Sequence, residues 1–143
     1  KNIGCRRLFL SFVYQFYVYN FKGYRVCIFC KIVNKEIPSN IILENDDFLA
    51  FHDINPKAPV HILAIPKVHV DSFNEVDPQT MEKMTSFMQE AAKEMNIDKS
   101  GYRVITNVGD DGGQEVKHLH FHIVGGAKLA WSHLSDSDPK GKF

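Results

Sequence analysis

The segment His118-Leu119-His120-Phe121-His122-Ile123-Val124 decides how this chain is read. Its first six residues alternate histidine with an apolar residue, and an extended strand sends alternate side chains to opposite faces. The three imidazoles therefore share one face, and Leu119, Phe121 and Ile123 share the other. A strand over 118–124 is predicted, anchored on its apolar side, with neighbouring histidine Cα atoms about 6.5 to 7 Å apart. Three histidines in register, in a chain that has seven among 143 residues, point to chemistry more than to a wet sheet face. Imidazoles at i and i+2 can share a zinc and leave an open position for catalysis. The preceding loop, Asp110-Asp111-Gly112-Gly113-Gln114, favours a different partner, because glycines free the backbone to turn its amides towards phosphate oxygens.

Working outward, Ile41–Leu43 and Phe48–Ile54 are short β-prone runs joined by Glu44-Asn45-Asp46-Asp47, a connection of hairpin length. Asn55-Pro56-Lys57-Ala58-Pro59 breaks the chain before Val60–Ile65, a third run closed by Pro66. His52 and His61 lie on these strands. Asp77-Pro78 supplies an N-cap followed by proline at the first helical position. Met81, Met84, Met88, Ala91 and Met95 then recur at spacings of three and four, which predicts one amphipathic helix whose methionine stripe is core. Tyr102–Asn107 reads as a further strand. The expected fold is α+β: a single antiparallel sheet of about five strands with one main helix.

With 44% hydrophobic residues the chain can bury one core, and we expect one domain over 25–131. Residues 1–24 form an aromatic-rich extension behind Lys1, Arg6 and Arg7. Its apolar run, Leu8 to Phe21, is too short to span a bilayer as a helix, and the segment reads as a targeting signal, an added extension or an extra strand. Residues 132–143 are a polar tail. Lys plus Arg and Asp plus Glu number 17 each, so no global field steers the protein to nucleic acid or to a membrane. Three cysteines, two of them in Cys27-Ile28-Phe29-Cys30, do not make a disulfide framework, and a reducing, cytoplasmic setting is expected.

The run from Gly112 to Gly126, Gly112-Gly113-Gln114-Glu115-Val116-Lys117-His118-Leu119-His120-Phe121-His122-Ile123-Val124-Gly125-Gly126, resembles the signature of the histidine triad superfamily, in its nucleotide-binding phosphoramidase branch. Cys27–Ile32, Ala50–Ile54 and Ala58–Lys67 match that branch in order and spacing, so the resemblance covers about residues 27–131. It implies a sheet continued across a two-fold homodimer, and hydrolysis of adenosine or guanosine phosphoramidates and of acyl or aminoacyl adenylates. By the same resemblance His120 attacks the α-phosphorus, and water hydrolyses the nucleotidyl-imidazole that forms. A neutral imidazole suits that role if its second nitrogen is held as a donor, as a carbonyl on the same strand could do.

The resemblance further implies that His61 protonates the leaving amine and that His118 and His122 complete the catalytic histidine set. His122, Asn107 and the Gln114 region line the phosphate, Asp53 takes the ribose hydroxyls, and Phe29, Ile32, Phe51, His52 and Ile54 wall the base. No cofactor is required for the chemistry. Related branches that keep the C-x-x-C hold a structural zinc, here on Cys27, Cys30, His69 and His118; the alternative is a pair of buried thiols. Glu115 departs from the serine that many relatives place against the phosphate, and the tail lacks a proline-rich ending, so the leaving group is open. Three other readings stand beside this one: a dinucleoside polyphosphate hydrolase, disfavoured by Val116 where that branch has glutamine; a metal-dependent hydrolase using the histidine strand; and a nucleotide-binding interaction module with weak chemistry.

Overall fold

A computed structural model describes residues 17–19 and 25–131. The remainder of the N-terminal extension and the 132–143 tail lie outside the described residues. Near the start, β1 (Tyr17–Tyr19) and β2 (Arg25–Cys27) form a small antiparallel ladder, which runs directly into a six-residue helix, α1 (Ile28–Val33).

The main sheet comprises β3 (Ile41–Glu44), β4 (Phe48–His52), β5 (Val60–Pro66), β6 (Tyr102–Ile105) and β7 (Phe121–Gly125). Their spatial order is β3-β4-β5-β7-β6, with every neighbouring pair antiparallel. The β3–β4 hairpin closes as its composition predicts: the Asn45 side-chain oxygen accepts from the amides of Asp47 at 3.0 Å and Phe48 at 2.8 Å. Helix α2 (Pro78–Glu94) starts where Asp77 accepts from the Thr80 amide at 2.9 Å, with Pro78 at its first position.

Strands β4 and β5 are buried on both faces, which is why they read as continuous apolar runs and not as alternating ones. Phe48, Ala50, Ile62 and Ala64 face α2, where they meet Met84, Phe87, Met88, Ala91 and Ala92. Leu119, Phe121 and Ile123 join that layer, so the apolar side of the histidine segment packs on the methionine stripe as expected. Leu49, Phe51, Leu63 and Ile65 face the other way and are covered by Phe29 and Ile32 of α1.

Three predicted strands are shorter in the structure, each for a local reason. Asp53 and Ile54 leave β4 because the Asp53 carboxylate accepts from the Asn55 amide at 2.8 Å and turns the chain. Thr106 and Asn107 leave β6, their side chains donating to the carbonyls of His120 at 2.8 Å and Gly113 at 3.3 Å. The ladder of β7 begins only at Phe121, since the amides of His118 and Leu119 bond to Val116 at 2.9 Å and Val70 at 2.6 Å. The alternation of side chains survives this change of backbone partners. Among the described residues no helix is long and apolar enough to cross a membrane.

Candidate active site

His120 stands at the mouth of β7 with 6% of its surface exposed. Its Nδ1 lies 2.7 Å from the carbonyl of His118. A carbonyl only accepts, so Nδ1 carries the proton and Nε2 keeps its lone pair. Burial holds the ring's pKa below the ordinary imidazole value, and Phe29 packs edge-on against it at 5.3 Å. The result is a neutral imidazole with a fixed tautomer, and its side chain lines a cavity of about 1010 Å³.

A second imidazole pair sits beside it. The Lys57 amide donates to His61 Nδ1 at 3.0 Å, so in neutral His61 the proton is on Nε2. That atom is 2.9 Å from His122 Nδ1 and 3.4 Å from the Asp53 carboxylate. Donation from His61 to His122 leaves the His122 proton on Nε2, as a donor. Burial lowers the pKa of both rings, His122 to about 4, with the neighbouring His120 and His61 adding to the effect. One backbone amide thus sets the tautomers of two histidines in series.

The cavity is lined by most of the residues singled out from the sequence: Phe29, Ile32, Phe51, His52, Asp53, Ile54, His61, Asn107, His120 and His122. Phe29, Ile32 and Phe51 are core residues of the α1 side as well as walls, whereas Ile54 is 89% exposed. Of the predicted catalytic and nucleotide-binding residues, Gln114 and His118 fall outside it. Gln114 is turned inward as a brace, its amide nitrogen donating to the carbonyls of Asp71 at 2.6 Å and Val116 at 3.0 Å, its oxygen accepting from Gly109. His118 is fully buried and points to the cysteines, so it does not join His120 and His122 at the cavity. The amides of Gly109, Gly113 and Gln114 are bonded within the loop or to the Gln114 side chain, so the glycines shape the turn instead of presenting those amides to a ligand.

Cys27, Cys30, His69 and His118 bring one ligand atom each to within 4.8 Å of the others. His118 Nε2 donates to the Pro66 carbonyl at 2.8 Å, leaving Nδ1 bare at 3.3 Å from Cys27 Sγ and 3.6 Å from Cys30 Sγ. His69 Nε2 is 2.9 Å from the Asp71 carboxylate, leaving Nδ1 at 3.3 Å from Cys30 Sγ. Burial and the adjacent Cys27 push the Cys30 thiol up to about 12. Two thiols and two outward lone pairs, each ring anchored by its second nitrogen, fit a tetrahedral zinc with its outer partners in place. A second cluster, Asp53, His61 and His122, meets the same distance limit inside the cavity.

Sequence reasoning did not find α1 as a helix, the Lys57 amide, or the cations Lys57, Arg103 and Lys128 on the cavity lining. Arg103 is engaged by the Ala130 carbonyl at 3.3 Å and the Trp131 ring at 4.3 Å. No sequence signal marks a backbone donor, and a six-residue helix is too short to show a period.

These features define a class: an antiparallel α+β domain whose sheet carries a histidine cluster over an open cavity. The HIT domain pattern matches residues 34–129. A Helicobacter pylori protein described as an uncharacterized HIT-like protein is 52% identical over 101 residues, covering 71% of this chain and 97% of its own. Protein HitA of Neisseria gonorrhoeae is 46% identical over 102 residues, covering 69% and 94%. Among solved structures, a histidine triad protein from Clostridium difficile is 50% identical with a TM-score of 0.70, covering 75% of this chain and 96% of its own. A HIT family hydrolase from Legionella pneumophila is 38% identical with a TM-score of 0.71, covering 74% and 97%. The chain belongs to the HIT family.

Proposed function

We propose that this protein hydrolyses nucleoside 5′-monophosphoramidates, and acyl or aminoacyl adenylates, through a nucleotidyl intermediate on His120. The carrying observation is the 2.7 Å bond from His120 Nδ1 to the His118 carbonyl, which leaves Nε2 unprotonated at a nucleotide-sized cavity. Nε2 attacks the α-phosphorus, the bond from phosphorus to the leaving nitrogen breaks, and the amine departs with a proton drawn from solvent. Water then attacks the same phosphorus, its proton leaves, and the nucleoside monophosphate and free His120 are restored. His122, held as an Nε2 donor by His61, meets the charge that develops on the phosphoryl oxygens or on the leaving nitrogen. The base lies against Phe29, Ile32 and Phe51, and Asp53 accepts from the ribose hydroxyls.

Lys57, Arg103 and Lys128 line the cavity too, but the charges that act on His120 itself support a phosphoramidate over a dinucleoside polyphosphate. Asp53 and Glu115 are the charged side chains that act on His120, and both are negative. A polyphosphate leaving group brings several more negative charges to that point. The test follows amine release from an adenosine phosphoramidate of a fluorescent amine, in wild type and His120→Ala, with and without a chelator. Loss of turnover by roughly a thousandfold in the variant, with wild-type activity surviving chelation, is expected. Turnover unchanged in the variant sinks the assignment.

A metal-dependent hydrolase is the second reading, favoured by the Asp53, His61 and His122 cluster. Hydrogen bonds to Lys57 and between the two rings already account for that geometry. Activity lost to a chelator in a still folded protein selects this reading. We further propose a structural zinc on Cys27, Cys30, His69 and His118, a homodimer, and a cytoplasmic setting in which the thiols stay reduced.

A further inference from the structure

Glu115 leads from the glycine loop into the histidine segment. It is exposed and lines the cavity, and none of the described residues bonds to or pairs with its carboxylate. Its charge reaches His120, as does that of Asp53. The two carboxylates differ in their commitments. Asp53 is tied to the Asn55 amide at 2.8 Å and lies 3.4 Å from His61, whereas Glu115 has no such partner among the described residues.

A nucleotide that seats its base on the buried walls and its ribose on Asp53 leaves its phosphoryl group at His120 and its leaving group towards solvent. An exposed residue that lines the same cavity and whose charge reaches His120 can meet that outer part. A phosphoryl group facing an unpaired carboxylate is repelled, so the contact that Glu115 can make productively is with a cation on the leaving group. We propose that Glu115 makes this protein selective for leaving groups that carry a second, positively charged amine: conjugates of a nucleoside monophosphate with a diamine or with an amino acid presenting a free ammonium. This inference rests on the phosphoramidase reading and names its substrate class.

The experiment compares two adenosine 5′-phosphoramidates of matched length, one of 1,4-diaminobutane and one of pentylamine, which puts a methyl where the first has an ammonium. kcat/KM is measured for both with the full chain, in wild type, Glu115→Gln and Glu115→Ser. At low ionic strength the wild type is expected to prefer the cationic conjugate by roughly two- to fivefold, the range an exposed ion pair supplies. The ratio falls towards one in both variants, and in wild type as salt is raised to about 0.5 M. A wild-type ratio near one, or a ratio that survives Glu115→Gln, overturns the proposal. The salt series needs no variant and so stands even if a substitution disturbs the loop. If neither conjugate is turned over, the phosphoramidase reading itself falls, and this inference with it; if both are turned over without preference, only the role of Glu115 falls.

Discussion

At the scale of single residues the site is a set of imidazoles whose protons have been placed by their neighbours. His61 takes its tautomer from the Lys57 amide and passes it to His122. Replacing His61 by alanine frees His122 to adopt either neutral form, and kcat/KM should fall roughly a hundredfold while nucleotide binding by calorimetry changes little. The buried rings also tie stability to pH. His122 stays neutral down to about pH 4 in the fold, against about 6.5 in the unfolded chain. Between those values the unfolded state binds more protons, so the stabilisation is complete above about pH 6.5 and is lost as pH falls towards about 4. Burial lowers His61 in the same direction. Denaturant midpoints should be level near pH 7 and decline through that window, with a shallower decline in His122→Asn. His120 and His122 were legible because period-two alternation exposes itself in sequence. The donor that orders His61 was not, since a main-chain amide has no letter of its own, and Glu115 was visible only as an oddity until its position beside His120 gave it a surrounding.

At the scale of elements, the glycine loop illustrates how a correct location can carry an incorrect purpose. Its amides were expected to face phosphate, yet Gly113 and Gln114 donate to Asp110 and Gly109 within the turn. The tightest demand falls on Gly112, where a Cβ would sit 2.2 Å from the Val108 carbonyl oxygen. Gly112→Ala should destabilise the protein by about 2 to 3 kcal/mol in chemical denaturation and depress activity, because the same turn leads through Gln114 into the cavity-lining Glu115 and Val116. Strand identity was readable where composition and turn chemistry agreed, as at Asn45 and at the Asp77-Pro78 helix start. Strand ends were not, because Asp53, Thr106 and Asn107 use side chains to end the ladder, and His118 and Leu119 find main-chain partners outside the sheet. Helix α1 escaped notice for a different reason: its buried residues, Phe29 and Ile32, are three apart in a six-residue segment, too brief to distinguish a helix from a loop.

At the scale of the whole molecule, the proposed zinc joins segments that lie far apart in sequence, as the 3.3 Å contact of Cys27 with His118 records. A chelator should therefore lower the melting temperature by about 5 to 10 °C, with zinc content falling from one per chain to none, and Cys30→Ser should reproduce both changes. Strand β6 is an edge of the sheet and leaves Val104 42% and Ile105 40% exposed, a surface suited to a second copy. Sedimentation should accordingly give twice the 16.4 kDa of the chain. The proposed zinc site and the proposed nucleophile converge on His118, whose ring is offered to the thiols while its carbonyl holds His120. Such a residue couples the histories of two sites. A lineage that drops the cysteines leaves this ring on its Pro66 bond alone, so drift at residues 27 and 30 bears on the posture of His120, which neither of them touches.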